Sequence, residues 1–571
     1  MTGNRTSATE EFLAARNLLL ALHDNHDEAV ARFTWPRLTH FNWAFDYFDH
    51  IAAGNNQVAV RIVDGTDDTP QVTYAELSQR SNQVANWLLR TGVRRGDRVL
   101  LMIDNQIAVW EALLAVIKIG AVVIPTYTTI SAADLADRME RGQVAHVITA
   151  GHLTDQFTAF PAGLTRICVG DRVTGWHHYN DAYLEPITFT PEAPTNADDL
   201  LFIYFTSGTT SRPKMVGHTH VSYPVGHLTG MYWNGLRPGD IHCNVSAPGW
   251  AKHAWSSFFG PLNAEATVLS VNLPADASPR LLIDLVNREN ATSLCAPPTA
   301  WRTLLQHDLG TRPVSLREAS SVGEPLNPAV IDQVRTSWGL TVRDGFGQTE
   351  TTAQIGNTAG LDVRPGSMGK PLPGYPVVLI DPKTGRPGNE GEICLDLSQR
   401  PVGIMTGYLG NPTKTAETFA GGYYHTGDIA TRDTDGYLTY IGRNDDVFKS
   451  YDHRISPFEL ESVLLRHESV AEAAVVPAPD PIGYQVPKAY IALAAGHPAT
   501  ADTARSVLAY ASKILAPHQQ IARLEFTDLP KTTSGKIRRA ELRATENTTT
   551  HTEYHTDQLL QHTTTHAAPG M

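Results

Sequence analysis

Apolar and polar residues alternate along much of the chain in an order that predicts helices followed by buried strands. The segment TYAELSQRSNQVANWLLRTGV has apolar residues at helical spacing, ends at Gly92 and precedes the apolar run DRVLLMI. The pair AVWEALLAVIKIG and AVVIPTY repeats this order, and similar units recur at LLIDLVNRENATSLCAPP and PAVIDQVRTSWGLTVRDGFG. Helices that alternate with short apolar strands predict an α/β protein with a doubly wound sheet.

The pattern changes twice toward the C-terminus. Between Ser367 and Thr439, short strands such as GEICLDL and GYLTYIG are separated by Gly, Pro and Asp turns, which predicts a small β region. After Gly442, ISPFELESVLL, KAYIALA and ADTARSVLAYASKIL predict a small α+β domain. We expect an N-terminal domain at 1–443, a C-terminal domain at 444–545 and a disordered Thr/His-rich tail at 546–571.

Length and charge limit the classes of function. A chain of 571 residues is too long for one compact core, so two or more domains are expected. The net charge of -13 argues against nucleic acid or an anionic membrane as the main partner. No secretory pattern is visible, and the longest apolar run, around 112–125, contains Lys118 and is too short for a membrane span. The last two features predict a cytoplasmic protein, and we expect a monomer or homodimer. Four widely spaced cysteines are expected to be buried free thiols: Cys168, Cys243, Cys295 and Cys394.

The stretch YFTSGTTSRPKMVGHTH, residues 204–220, follows the apolar run 200–203 and combines hydroxyls, glycines and a lysine. Glycine lets the backbone approach a ligand, N–H groups and hydroxyls donate to phosphate oxygens, and lysine adds positive charge. The common nucleotide loop GxxxxGK[ST] does not fit the spacing of Gly208 and Lys214. The residues by themselves therefore leave two interpretations open, a different phosphate loop or a polar turn.

Together with this stretch, three further blocks carry a specific resemblance. They are DGFGQTET at 344–351, YYHTGDIATRDTDGYLTYIGRNDDVF at 423–448 and PKTTSGKIRRAELR at 530–543. In this order the blocks resemble the adenylate-forming superfamily of acyl- and aryl-CoA synthetases, luciferases and peptide synthetase adenylation domains. The segment SAPGWAKHAWSSFFGPL at 246–262 is most similar to medium-chain acyl-CoA and related bacterial acid–CoA ligases. The resemblance implies ATP-dependent activation of an aryl or short to medium acyl acid, followed by transfer to CoA from a site with a mobile C-terminal domain.

The resemblance also implies roles for single residues at the ATP site. Two anions meet in this reaction, so positive charge and hydrogen-bond donors are needed where negative charge builds up. Glu350 would hold Mg²⁺ and Thr349 the α-phosphate. Asp428 would accept the ribose hydroxyls with the help of Arg443, and Phe346 would stack on the purine. The other implied contacts are Thr206, Ser207, Gly208, Thr209, Thr210 and Lys214 for the β- and γ-phosphates, and Gly323, Glu324, Pro325, Asp344 and Gly345 for adenine.

Lys536, in TSGK, is expected to bridge the acid carboxylate and the α-phosphate when the C-terminal domain swings in. The domain would then rotate at Asp445 and present a second face, with Asp452 and Arg454, toward CoA. Two residues depart from the family pattern: Ser211 replaces a glycine of the phosphate loop, and Asp452 stands where CoA-ligating relatives commonly have glycine. An aspartate adds bulk and negative charge near an anionic cofactor. Other acceptors therefore stay open: an amine, a separate carrier protein, or nitrite activation that diazotises an aryl amine.

The same resemblance implies an acyl pocket. Trp250 and His253 would narrow it and favour aryl or short acids, although a packed core turn fits these residues equally well. The cofactors implied are ATP, Mg²⁺ and CoA. The residues expected to line the acyl pocket are Trp250, Ala251, Lys252, His253, Ala254, Val322 and Gly347.

Overall fold

The structure is a computed structural model that describes residues 7–66, 69–161, 163–206, 212–274, 277–450, 453–480, 484–531, 536–545 and 552–560. The chain divides into two compact units. The first contains Met1–Thr206, Pro213–Val377 and Leu395–Tyr424, and the second contains Ser207–Arg212, Val378–Cys394 and His425–Met571. The second unit thus combines part of the predicted β region with the α+β block, and the boundary at 443 stays a prediction.

A mostly parallel sheet, called the large sheet below, organises the first unit. Its central strands are parallel, as expected where helices cover both faces. Trp301, Trp338 and Leu294 belong to the apolar core on this sheet. In spatial order its strands are Gln71–Thr73, Val58–Val63, Thr267–Val271, Ile241–Asn244, Ser293–Cys295, Glu318–Ser321, Val342–Gln348, Thr352–Gly356 and Ser367–Pro371.

A second sheet in the same unit contains the strand that leads into the phosphate-loop motif. Leu200–Thr206 runs antiparallel to Lys214–Thr219, with Thr206 opposite Lys214. The sheet order is Gly407–Tyr408, Lys214–Thr219, Leu200–Thr206, Val122–Pro125, Arg98–Met102, His146–Ala150, Thr165–Val169 and His177–His178.

The predicted helices form where the sequence provides their caps. Thr73 and Glu76 make a reciprocal capping box at the start of Tyr74–Arg90. Ile107–Ile119 ends at Gly120, whose φ of 77° is the left-handed conformation that closes a helix. The fold class predicted from the sequence is confirmed. Other α-helices of this unit are Ser7–Ala21, His26–Arg32, Asp49–Ala52, Ala132–Arg141, Ser222–Gly226, Leu228–Asn234, Ala251–His253, Gly260–Asn263, Arg280–Arg288, Pro298–Leu305, Pro328–Trp338 and Pro412–Thr418; Trp43–Phe48 and Ala254–Phe259 are π-helical, and Gly151–Phe157, Tyr179–Leu184, Leu397–Gln399 and Ala420–Gly422 are 3₁₀ turns.

The second unit contains the antiparallel pair Tyr423–Arg432 and Leu438–Arg443, beside which lie Glu390–Asp396, Val377–Ile380 and Pro387–Gly388. It continues with a short hairpin and a four-stranded sheet that packs on helices around Leu460 and Leu508. The hairpin strands are Phe448–Ser450 and His453–Ile455; the sheet is Val470–Asp480, Tyr484–Leu493, Arg523–Phe526 and Glu553–His555; the helices are Pro457–Leu464, Ala501–Ile514, Arg539–Thr545 and Thr556–Leu560, with a 3₁₀ turn at Pro517–Gln519.

The expectation of a disordered tail is wrong for residues 552–560. Strand Glu553–His555 pairs with Arg523–Phe526, and Tyr554, Leu559 and Leu560 pack against the core of the small sheet. These apolar side chains stabilise the segment, although the Thr- and His-rich composition around it predicts disorder. Residues 546–551 and 561–571 lie outside the described residues.

The four cysteines are free and buried, as predicted. In the parts of the chain that the structure describes, no helix is long and apolar enough to cross a bilayer.

Candidate active site

The predicted adenine segments follow neighbouring strands of the large sheet. Ligands of open α/β sheets bind outside the carboxyl ends of the parallel strands. Val322 to Pro325 come directly after one strand, and Phe346 to Glu350 lie at and beyond the end of the next. Ser321 is paired with Asp344, so both segments leave the same edge of the sheet. The parallel strands of this part of the sheet include Ile241–Asn244, Ser293–Cys295, Glu318–Ser321 and Val342–Gln348.

The segment 322–325 makes a turn that needs a glycine. Gly323 has a φ of +110°, a backbone conformation that residues other than glycine rarely adopt. Val322 is buried, Gly323 is exposed, and Pro325 is half-buried. The half-buried Glu324 accepts an ion-pair hydrogen bond from Arg302 at 3.4 Å. The turn therefore exposes backbone groups at the carboxyl edge, as a ligand-binding segment requires.

Asp344 is buried, and burial raises the pKa of its carboxyl from 3.8 to about 8. Its Oδ1 accepts the backbone N–H of Gly345 at 2.9 Å. A Cβ at Gly345 would lie 2.5 Å from the Trp233 ring, and one at Gly347 would lie 2.6 Å from Trp255, so neither position has room for a larger side chain. Close packing on tryptophans thus fixes the backbone on both sides of Phe346, which is half-buried.

Thr349 and Glu350 are held by hydrogen-bonding groups that are distant in sequence. Tyr408 donates its hydroxyl to Glu350 Oε1 at 3.0 Å, and Met405 N–H donates to the Glu350 carbonyl at 2.8 Å. His218 Nε2 donates to the Thr349 carbonyl at 2.7 Å; burial lowers the pKa of this histidine to about 3, so the ring is neutral. The Thr349 and Glu350 side chains are half-buried.

Lys214 lies close to Tyr408, the residue that donates a hydrogen bond to Glu350. Its Nζ is 4.9 Å from the centre of the Tyr408 ring, whose hydroxyl contacts Glu350. Thr206 is half-buried at the end of its strand opposite Lys214. The structure therefore brings both ends of the phosphate-loop motif toward Glu350. The central residues of the motif, Ser207, Gly208, Thr209, Thr210 and Ser211, lie outside the described residues.

The second unit brings the predicted ribose residues together. Asp428 is buried; its Oδ1 accepts the hydroxyl of Tyr440 at 3.1 Å, and its Oδ2 accepts Arg443 Nη1 at 3.4 Å. Burial and the nearby Asp428 raise the pKa of Tyr440 well above 10, so the phenol stays a donor. Asp428 and Arg443 also face each other across two paired strands. Hydrogen bonds to both oxygens therefore fix the orientation of the Asp428 carboxylate.

The catalytic lysine and the hinge predicted from the sequence also belong to the second unit. Lys536 is exposed and lies just before the helix Arg539–Thr545. Asp445 is exposed, with an oxygen 3.5 Å from Arg443 Nε. Arg454 is exposed and donates to Glu390 at 3.1 Å. Asp452 lies outside the described residues.

In the predicted acyl segment, successive side chains have different surroundings. Trp250 is half-buried and stacks on Tyr127, with ring centres 4.3 Å apart and an angle of 4°. A Cβ at Gly249 would lie 2.2 Å from the Tyr127 nitrogen, which explains the glycine before this tryptophan. His253 is buried beside Trp110, and burial lowers its pKa to about 3. Its position fits the packed core turn, the alternative that the sequence left open. Ala251 and Lys252 are half-buried, and Ala254 is buried.

Several site residues could not have been selected from the sequence motifs. Tyr408 lies 58 residues from Glu350, and Tyr440 lies 12 residues from Asp428. Neither tyrosine is singled out by a motif, and only the folded strands place its hydroxyl against the carboxylate. His218 lies inside the phosphate-loop stretch but acts on the Thr349 carbonyl. Glu392, which accepts the backbone N–H of Gly427 beside Asp428, had only a weak signal, its place in the predicted strand GEICLDL.

Comparison with known proteins identifies the family. The sequence model described as AMP-binding enzyme matches residues 48–409, and that of the AMP-binding enzyme C-terminal domain matches 459–536. The chain belongs to the AMP-binding enzyme family. Among AMP-binding enzymes it is 41% identical over 519 residues to 4-hydroxybutyrate–CoA ligase 1 of Metallosphaera sedula, covering 89% of this chain and 91% of that protein. The resemblance read from the sequence motifs is thus confirmed.

Other members of the AMP-binding enzyme family agree with this assignment. The mitochondrial acyl-coenzyme A synthetase ACSM3 of Mus musculus is 37% identical over 531 residues, covering 90% of this chain and 91% of that protein. The solved structure of the anthranilate CoA ligase AuaEII in complex with anthranoyl-AMP superposes with a TM-score of 0.80 at 27% identity. The match covers 90% of this chain and 98% of that chain.

Proposed function

We propose that the protein is an AMP-forming acid–CoA ligase, which activates a carboxylic acid with ATP and transfers the acyl group to CoA. The observation that carries this proposal is the arrangement of Glu350 beside Tyr408 and Lys214, next to the carboxyl edge that carries the segment 322–325. The chain belongs to a family in which similar proteins are named acyl-CoA synthetases and 4-hydroxybutyrate–CoA ligase.

In the first half-reaction, an oxygen of the acid attacks the α-phosphorus of ATP, pyrophosphate leaves and an acyl-adenylate forms. Lys214 and the phosphate-loop motif would bind the leaving pyrophosphate, and Thr349 would hold the α-phosphate. Glu350, half-buried and oriented by Tyr408, is the oxygen ligand that Mg²⁺ prefers. Mg²⁺ supplies positive charge against the phosphates when bound.

The adenosine half of ATP would be held by two further groups of residues. Phe346 and the segment 322–325 provide an aromatic ring and exposed backbone at the carboxyl edge. Asp428 accepts hydrogen bonds on both carboxylate oxygens, and it would accept the two ribose hydroxyls in the same way.

Lys536 supplies the charge that the chemical step needs. Two negative groups, the carboxylate and the α-phosphate, repel each other until a cation lies between them. A unit charge about 4 Å from an anion contributes about 4 kcal/mol at an effective dielectric constant near 20, which corresponds to about a thousandfold in rate. The exposed position of Lys536, beside the helix Arg539–Thr545, leaves it accessible for such a task.

The proposal is tested by ATP–pyrophosphate exchange with a panel of acids that includes nitrite. We expect exchange with at least one acid, and an acyl-CoA product when CoA is added. Exchange that never leads to a CoA thioester would instead favour an amine or a separate carrier protein as the acceptor, or nitrite activation. These alternatives stay open because Asp452 stands where CoA-ligating relatives commonly have glycine. No exchange with any acid would contradict the proposal.

The role of Lys536 has a separate test. Lys536→Ala is expected to lower the exchange rate about a thousandfold, whereas Lys383→Ala, which removes an exposed lysine elsewhere, should leave it unchanged. Unchanged exchange in Lys536→Ala would contradict the role of this lysine without affecting the rest of the proposal.

A further inference from the structure

Lys252 places an ammonium group between the ends of two parallel strands of the large sheet. Its Nζ donates to Asn244 Oδ1 at 2.5 Å, to the Val245 carbonyl at 3.2 Å and to the Cys295 carbonyl at 3.4 Å. Asn244 and Cys295 are paired across these strands, each as the last residue of its strand. The ammonium group therefore lies at the carboxyl edge where ligands of such sheets bind.

The three oxygen acceptors of this lysine are uncharged. Among the residues that the structure describes, none places a carboxylate within 4.0 Å of Lys252 Nζ. Two fully buried lysines have carboxylate partners: Lys118 contacts Asp49 at 2.8 Å, and Lys488 contacts Glu525 at 3.0 Å. A buried charge is costly unless an opposite charge compensates it, so a lysine without a carboxylate partner points to an anion that arrives with a ligand.

Two cysteine thiols, those of Cys295 and Cys243, also act on the ammonium. Burial raises the pKa of Cys243 to about 12, so this thiol is uncharged at neutral pH. Burial also lowers the pKa of Lys252 from 10.5, as expected where no anion balances the charge.

The ammonium is also near enough to the predicted acyl pocket to reach its ligand. The strand before Lys252 lies two steps from Glu318–Ser321, which leads into Val322. Neighbouring strands are about 4.8 Å apart, so the strands Ile241–Asn244 and Glu318–Ser321 are about 10 Å apart. That distance is comparable to the length of a small acid. Lys252 is itself half-buried, which leaves part of the side chain accessible.

We propose that Lys252 binds a second anionic group of the substrate, so that the pocket selects acids with an anionic group in addition to the carboxylate that is activated. This inference rests on the proposed acid–CoA ligase function and names its substrate class. With an acid that has an uncharged end, the ammonium would have only neutral oxygen acceptors, whereas a second anion would supply an opposite charge. Lys252 is thus a specificity-determining residue.

The first test uses the wild-type enzyme. ATP–pyrophosphate exchange is measured with matched acids that differ in one charged group: glutarate against hexanoate, and isophthalate and terephthalate against the corresponding methylbenzoates. We expect kcat/KM to be at least about tenfold higher for the dianion in the pair that fits the pocket. Equal or better exchange with the monocarboxylate in every active pair would overturn the inference but leave the proposed function intact. Absence of exchange with both classes would count against the proposed function, and the inference would fall with it.

The second test changes the lysine. In Lys252→Met the ratio of kcat/KM values for the two acids of a pair should fall toward one, and Lys252→Arg should keep part of the preference. Lys383→Met, a matched loss of an exposed lysine, should leave the ratio unchanged. A folded Lys252→Met enzyme, checked by circular dichroism and thermal unfolding, that keeps the full preference would overturn the inference. If this variant does not fold, the wild-type ratio decides the question.

Discussion

Glu392 accepts the backbone N–H of Gly427 at 2.7 Å, and its other carboxylate oxygen lies 2.9 Å from His425 Nδ1. Gly427 has a φ of +76° and is followed directly by Asp428, the residue predicted to hold the ribose. One half-buried carboxylate therefore fixes the turn from which Asp428 projects.

This relationship predicts the behaviour of Glu392→Gln. The amide keeps the size of the side chain but loses the charge, and a hydrogen bond to a charged group contributes about 1.5–3 kcal/mol. We expect KM for ATP to rise about tenfold with a smaller change in kcat, because the turn positions ATP and does not take part in the chemistry. Steady-state kinetics checks this, with Glu417→Gln, an exposed residue paired with Lys414, as the control. An unchanged KM would show that the turn does not need Glu392.

Tyr408→Phe removes the hydroxyl that contacts Glu350 but keeps the ring beside Lys214. Without this hydrogen bond the carboxylate is less well oriented. We expect kcat/KM for ATP to fall about tenfold and the Mg²⁺ concentration required for half-maximal rate to rise. Rates measured over a Mg²⁺ titration test both effects, and Tyr510→Phe, in the C-terminal block, serves as the control. The same Mg²⁺ dependence as the wild type would contradict a role for Tyr408 at the metal ligand.

Asp344 predicts a pH dependence of stability. Its pKa is about 8 in the folded protein because of burial and about 3.9 in an unfolded chain. The folded state thus holds a proton that the unfolded state loses between these values. The stabilising contribution is fully present below about pH 4 and falls as the pH rises toward 8.

Asp344→Asn should remove this part of the pH dependence, since the amide does not titrate and its oxygen can still accept the Gly345 N–H. Denaturant midpoints at pH 5.5 and pH 8 measure the effect. We expect the wild-type midpoint to fall more between these two values than that of the variant. Parallel falls in the two proteins would mean that Asp344 is already ionised in the folded state.

The selectivity assigned to Lys252 should depend on pH. Burial lowers the pKa of this ammonium, so its charge is present at low pH and is lost on the alkaline side at a lower pH than for an exposed lysine. The ratio of kcat/KM for a dianionic acid to that for its monocarboxylate partner should therefore decline as the pH rises from 7 to 10. In Lys252→Arg the ratio should stay flat, because a guanidinium keeps its charge over this range. A wild-type ratio that does not change with pH would contradict the prediction.

Local sequence signals were sufficient for much of the fold. The Thr73–Glu76 capping box and Gly120 lie within a few residues of the helix ends that they define, and the apolar runs beside them became strands. Short-range caps and periodicity depend on neighbouring residues alone, so they can be recognised without the tertiary structure. The tail segment 552–560 was missed because Tyr554 and Leu559 are stabilised by a core built from other parts of the chain.

The sequence by itself determined the family, the α/β class and the motifs that name Glu350, Asp428 and Lys536, because those motifs are contiguous in the chain. Only the tertiary structure decided which side chains act on them. The pairing of distant strands brings the Lys252 ammonium to the Cys295 carbonyl and the Tyr408 hydroxyl to Glu350. Strand order depends on packing across the whole unit, so no local pattern could have revealed these contacts.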